Sequence, residues 1–197
     1  MKILNLYSGI GGNRALWKGH EITSVELDEK IAEVYSKLYP NDNMIVGDAL
    51  EYLEKHYSEF DFIWASPPCQ SHGQYRHNVG VLGKGFAPIL PDMGLYSIII
   101  FLKTYFKGDW CVENVVPYYK PLVEPTVLLQ RHLFWSNKPI REKEFAKDAI
   151  RTKNKISDFD NYEIVADSRI SNKRQVLRNC VKPELGEYVL NEILNSK

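Results

Sequence analysis

Three short stretches hold side chains able to do covalent chemistry. "FDFIWASPPCQSHGQYR" (Phe60 to Arg76) sets Cys69 behind two prolines, "CVENV" holds Glu113 and Asn114, and "RHLFWSN" opens on Arg131. A thiol and a carboxyl group from adjacent strand ends can flank one planar substrate, the thiol as nucleophile and the carboxyl as proton donor or acceptor. Pro67 and Pro68 stiffen the turn and set its direction. Taken singly, each residue also has a bland reading: a lone cysteine is a small buried hydrophobe, and Glu113 a partner for a lysine.

A second group reads as a binding site. "LNLYSGIGGNRALW" puts Gly9, Gly11 and Gly12 where a first strand ends and a helix is expected to begin, which permits a tight turn and close approach of a ligand to backbone N–H groups. Glu26 closes the next strand, where an acid can hold ribose hydroxyls, and Asp48 closes the third. Asp48 is also a natural helix N-cap. Three strand ends of this kind on one sheet edge favour a cofactor containing a nucleoside.

The elements that must position these groups alternate. Short β-prone runs ("KILNLYS", "EITSVEL", "NMIVGD", "FDFIWAS", "DWCVENV", "HLFWSN") are separated by helical patterns such as "DEKIAEVYSKLYP" and "ALEYLEKHYSEF". Strands alternating with helices predict an α/β fold with a mostly parallel, doubly wound sheet. "PDMGLYSIIIFLKTYFKG" reads as a buried helix and "KPELGEYVLNEILNSK" as a last amphipathic helix packed back on the sheet. Residues 70–94 show no sustained period and carry five glycines and two prolines; a loop of that length in a compact domain serves function or moves. Charge dominates from residue 137 to 173, where "ISDFDNYEIVADSRIS" has room for a strand or two. The expected organisation is a catalytic domain over 1–136 and 174–197, with a small insertion over 137–173.

The chain has 197 residues, 44% of them hydrophobic, enough for one domain with a full core. Its 25 basic and 25 acidic residues cancel, so partners must be argued from sites rather than from global charge. Cys69, Cys111 and Cys180 form no CxxC pair, which argues against a zinc ribbon, a metal site or a disulfide framework and for a reducing compartment. The apolar part of the start is brief for a signal sequence and "LYSIIIFL" is short for a bilayer span, so a cytoplasmic protein with no membrane partner is expected.

Taken in order, "LYSGIGG", "VELD", "GDA", "SPPCQS", "ENV", "LLQRHLFW" and "RQVLRNCVKPELG" resemble the motifs of the DNA (cytosine-5)-methyltransferases. The resemblance implies a Rossmann-like fold that uses S-adenosylmethionine and no metal. It places Tyr7, Gly9, Gly11 and Gly12 along the cofactor, Glu26 on its ribose, Asp48 and Ala49 near its adenine, and Asn179 and Val181 back on the same pocket, with Pro68 shaping the wall. Cys69 would add to C6 of a flipped cytosine, Glu113 would meet N3 and the exocyclic amine, and Arg131 would hold O2. Gln70, Ser71, Gln74, Tyr75, Arg76 and Asn114 are the implied DNA contacts, with His77 and Lys84 on the same loop.

Two departures matter. The family's late Gln-x-Arg-x-Arg pattern is here "QRHLFW", so either Arg131 or His132 stands at the O2-binding position. The region before "RQVLRNCV" is far smaller than a usual target-recognition domain, though Arg151, Lys153 and Lys155 form a basic cluster suited to a phosphate backbone. A duplex DNA substrate with a short target site is therefore expected, in a phage or restriction-modification setting, with an accessory chain or a second copy to supply what is missing. RNA or single-stranded DNA is the alternative substrate, and a non-catalytic nucleic-acid-binding relative the alternative class.

Overall fold

The computed structural model describes residues 1–145 and 162–196. Among them, seven strands form one sheet in the order β3-β2-β1-β4-β5-β7-β6. The strands are β1 (Lys2–Leu6), β2 (Glu21–Glu26), β3 (Asn43–Val46), β4 (Phe62–Ala65), β5 (Asp109–Val115), β6 (Val127–Leu129) and β7 (His132–Ser136). The first five pair in parallel, and β7 runs antiparallel to both β5 and β6. The expected α/β, Rossmann-like sheet is present, parallel but for one edge hairpin.

Central strands read as unbroken apolar runs because both faces are covered. Ile3, Leu4, Phe62, Ile63, Trp64 and Ala65 are all fully buried. One face takes α2 (Ala49–His56) and α3 (Gly94–Tyr105), whose Leu53, Ile98, Ile99 and Leu102 pack on Leu4, Leu6 and Ile63. The other takes α6 (Pro183–Asn195), whose Leu185, Val189 and Ile193 join Trp17, Trp64 and Phe134. A third cluster joins Val34 of α1 (Glu29–Leu38) to Val165 of α4 (Tyr162–Ala166) and Leu177 of α5 (Lys173–Asn179).

Three expectations are corrected. No helix follows the glycine turn: residues 9–17 form successive tight turns, with Arg14 N donating to the Gly11 carbonyl and Trp17 N to that of Arg14. Gly9 and Gly11 have φ of +53° and +80°, incompatible with a right-handed helix, and side chains lock the turn instead. Arg14 forks onto Asp42, and Asn13 donates to Asn5. The sheet face that such a helix would cover is taken by α6 from the other end of the chain. "HLFWSN" is the second arm of a hairpin rather than a sixth parallel strand. The stretch with room for strands carries α4 over Tyr162–Ala166, while residues 156–161 lie outside the described residues.

The flanks of the expected insertion belong to the main body. Asn137 donates to the Gly108 carbonyl, Ile140 is buried in the α6 core, Arg141 forks onto Glu192, and Arg169 pairs with Glu33. Arg151, Lys153 and Lys155 lie outside the described residues.

Candidate active site

The carboxyl edge of the parallel strands opens into a cleft of about 550 Å³. Strands β1 to β5 each send groups into it. After β1 the chain turns sharply, with Tyr7 at φ +55°, an uncommon backbone for a non-glycine residue, followed by the Gly9 turn. Glu26 ends β2, and its two carboxylate oxygens accept from the backbone N–H groups of Gly9 and Asp28, each at 3.0 Å. The acid thereby ties the first strand's turn to the second. Burial raises its pKa, and the two N–H donors oppose that rise. Asp48 after β3 caps α2 through Leu50 N and Glu51 N, so its N-cap role is real, and it still lines the cleft with Ala49.

The turn after β4 delivers Pro67, Pro68 and Cys69, and β5 delivers Glu113 and Asn114. Burial pushes the Cys69 thiol up to about 11, the Glu113 carboxylate adds to that rise, and Arg131 counters it. The resting thiol is therefore protonated at neutral pH. Glu113 is only 6% exposed and meets His132, which is 3% exposed, through Oε1 and Nδ1 at 2.5 Å. The register explains the meeting: His132 lies opposite Val115, so it is a diagonal, same-face neighbour of Glu113. Because β7 runs antiparallel, its first residue lies at the carboxyl end of β5. The reversal at Gln130, φ +55°, thus carries Arg131 and His132 to the edge where Cys69 emerges.

Of the residues singled out in the sequence, Tyr7, Gly9, Gly12, Glu26, Asp48, Ala49, Pro68, Cys69, Gln70, Glu113, Asn114, Arg131, Asn179 and Val181 line this cleft together. Gly11 does not; it packs on the rings of Tyr35 and Tyr39, whose hydroxyl donates to the Gly11 carbonyl. A second cleft of about 780 Å³ meets the first at Cys69, Gln70, Arg131, Arg178 and Asn179, and is walled by Gln74, Tyr75, Arg76 and Arg174. Its lining includes four arginines and no carboxylate. Ser71 and Lys84 line neither cleft; the Ser71 hydroxyl accepts from Asp92 N and anchors the far end of the loop. Arg76 donates to the Ala87 carbonyl and lies over Phe86, and His77 stacks flat on Tyr118 at 4.3 Å. Asn114 is 1% exposed, with its amide donating to Pro67, so in this state it braces the cysteine turn from below.

Sequence reasoning did not find the Glu113–His132 pair as a unit, nor the cleft contributions of Ser8, Asn13 and Arg178. The pair has no sequence spacing that signals it, since its partners are 19 residues apart across a hairpin.

The residues fit an S-adenosylmethionine molecule. A Cβ built on Gly9 meets nothing within 4 Å, so the backbone there faces open space, with an acid at the tip of β2 and the apolar side chains of Leu27 and Ile31 beside it. Among the described residues no cluster of three or more His, Cys, Asp or Glu side chains is arranged to hold a metal, and no helix is long and apolar enough to cross a membrane.

Comparison with known proteins gives partial matches. Residues 1–85 match the C-5 cytosine-specific DNA methylase family model. A tRNA (cytosine(38)-C(5))-methyltransferase of Spodoptera frugiperda is 33% identical over 76 residues, which cover 35% of this chain and 23% of that protein. The chain thus matches under a quarter of that relative's length. Among solved structures, an Entamoeba histolytica methyltransferase, EhMeth, overlays with a TM-score of 0.47 at 13% identity, over 75% of this chain and 57% of the other. A mutant of Spodoptera frugiperda DNMT2 overlays with a TM-score of 0.40 at 29% identity, over 58% and 35%. The matched residues 1–85 carry β1 to β4, the glycine turn and Cys69, and over that stretch the chain is similar to the C-5 cytosine-specific DNA methylases.

Proposed function

We propose that the protein methylates C5 of cytosine in a polynucleotide through a covalent adduct between Cys69 and C6. The observation that carries this reading is the convergence of Cys69, Glu113, Arg131 and His132, from three separate elements, on the cleft that also holds the Gly9 turn and Glu26. S-adenosylmethionine, when bound, supplies the methyl group. Glu26 and the Gly9 turn would hold its ribose and amino-acid parts, with Asp48 and Ala49 at the adenine end.

Cytosine C5 is a weak nucleophile, and addition of the Cys69 sulfur at C6 moves the C5–C6 π pair onto C5. Glu113 meets N3 and the exocyclic amine, and the positive charge that offsets the ring's gain comes from Arg131. Arg131, whose guanidinium donates to the Arg178 carbonyl at 2.9 Å, is held at the mouth shared by both clefts and can reach O2. A base in a stacked duplex cannot enter a pocket this deep, so the target is taken unstacked. The four arginines of the second cleft suit the phosphates on either side of it.

Duplex DNA with a short target site is the first substrate reading, in line with the family model over residues 1–85. RNA is the second, favoured by the named activity of the Spodoptera frugiperda relative. Transfer of labelled methyl to duplex DNA, single-stranded DNA and tRNA decides between them, with Cys69→Ala as the inactive control. Methylation at N4 of cytosine or N6 of adenine in place of C5 overturns the assignment.

A further inference from the structure

The geometry points to His132 as the base that takes the Cys69 thiol proton. The inference rests on the covalent reading above and adds to it the group that makes the nucleophile. His132 is 3% exposed, and its two ring nitrogens differ. Nδ1 is committed to Glu113 Oε1 at 2.5 Å, whereas Nε2 is buried with no hydrogen-bond partner. A carboxylate on Nδ1 holds the proton there, which leaves Nε2 of the neutral ring as an acceptor. A buried acceptor without a partner is costly unless a donor reaches it during the working cycle. Two cysteines line the cleft that His132 lines; the Cys180 thiol donates to the Val176 carbonyl, and Cys69 is the one whose thiol feels the Glu113 charge.

A nucleophile, a base and an acid that orients the base are the three parts by which a weak thiol or hydroxyl nucleophile is activated. Here they come from the turn after β4, from β7 and from β5. The other titratable or charged groups around the pair are Cys111 on β5, Arg131 on the hairpin, Arg178 on α5 with Cys180 just after it, and Tyr7, Glu26, Asp28 and Asp48 across the cleft. Arg131 brings positive charge to the thiol and favours the thiolate; the three acids lie at the cofactor end.

The step balances. The Sγ–H bond breaks as Nε2–H forms, directly or through one water, giving an imidazolium beside the Glu113 carboxylate. The sulfur pair forms the Sγ–C6 bond, and the C5–C6 π pair moves onto C5. When the Sγ–C6 bond later breaks, sulfur leaves with its pair and recovers the proton from Nε2. The proton that leaves C5 goes to water, so His132 ends as it began.

Iodoacetamide alkylation of Cys69, followed by peptide mass spectrometry across pH in the absence of substrate and cofactor, tests this without calling on methyl transfer. Wild type is expected to be alkylated near neutral pH by a route that does not depend on hydroxide. His132→Asn keeps a donor toward Glu113 and loses the base; its rate should fall about 10²-fold near neutral pH and rise only with hydroxide. Free imidazole should restore His132→Gly. Identical pH profiles for wild type and His132→Asn overturn the proposal. Should both substitutions unfold, the wild-type profile alone decides, because a wild-type rate that rises only with hydroxide also overturns it. A separate trap with 5-fluorocytosine oligonucleotides and S-adenosylmethionine reports on the reading beneath: if wild type forms no adduct, the C5 reaction fails while the alkylation result stands.

Discussion

Asn114 Nδ2 donates to the Pro67 carbonyl at 2.9 Å, so the strand that carries Glu113 also holds the turn that carries Cys69. Asn114 spends its other amide atom on its own strand, where Oδ1 accepts from Val115 N at 3.0 Å. Acid and thiol are thereby set relative to one another by a single buried side chain. Asn114→Ala leaves the Pro67 carbonyl without this donor and is expected to destabilise the fold by about 1–3 kcal/mol. Methyl transfer should fall further than the stability loss explains, because the thiol turn is released; urea denaturation and kcat measured on the same variant separate the two effects.

Glu26 joins two strand ends, and the same carboxylate is the proposed ribose ligand. Glu26→Ala removes the acceptors of the Gly9 and Asp28 N–H groups and is expected to weaken S-adenosylmethionine binding by about 10-fold or more, the scale of a lost hydrogen bond to a charged group. Isothermal titration calorimetry checks this. Glu26→Gln, which keeps an acceptor, should lose less.

The docking of α6 on the glycine turn makes a sharp steric prediction. A Cβ at Gly186 would lie 2.0 Å from the Asn13 carbonyl oxygen, a backbone atom that cannot swing aside. Gly186→Ala must push α6 away from the 9–17 turn and should cost about 1–3 kcal/mol by overpacking. At Gly9 a Cβ meets nothing within 4 Å, but φ is +53°, so Gly9→Ala should cost less stability and act mainly on the cofactor side of the cleft. Thermal melts and cofactor titration should rank the two variants in opposite orders.

Alkaline pH should weaken the fold. The Cys69 thiol is raised from 9.0 to about 11, and burial also raises Cys111, Tyr7, Tyr35 and Tyr39, the last to about 12. A group with a raised folded pKa binds its proton more tightly in the native state. Its stabilising contribution is full below the unfolded value and is lost as pH rises through the folded one. Urea midpoints should hold steady up to about pH 9 and then fall, and Cys69→Ala should have a shallower slope between about pH 9 and 11.

The arginine-lined second cleft predicts a salt effect. Arg178→Ala should lower polynucleotide affinity for all sequences alike and reduce the slope of log Kd against log salt by about 1, as expected for one lost phosphate contact. Fluorescence anisotropy with labelled DNA and RNA at several salt concentrations measures it.

Much of the site was legible in the sequence because parallel strands interrupted by helices have one functional edge, and residues that follow a strand are carried to it whatever the packing. Gly9, Glu26, Asp48 and Cys69 each follow or close a parallel strand, and Glu113 lies near the end of one; strand identity alone placed them together. Arg131 precedes its strand and His132 opens it, which in a parallel sheet would put them at the opposite edge. Only the antiparallel direction of β7, set by the Gln130 reversal and the β6 hairpin, brings them beside Cys69. Tertiary structure likewise decided that α6, not a helix after the glycines, covers the sheet face at the cofactor turn, since two positive φ angles and the Arg14–Asp42 fork forbid a helix there. Local pattern thus determined which strand ends line the cleft. The pairing of Glu113 with His132, a contact between residues remote in the chain, depended on strand direction and register, which no local pattern encodes.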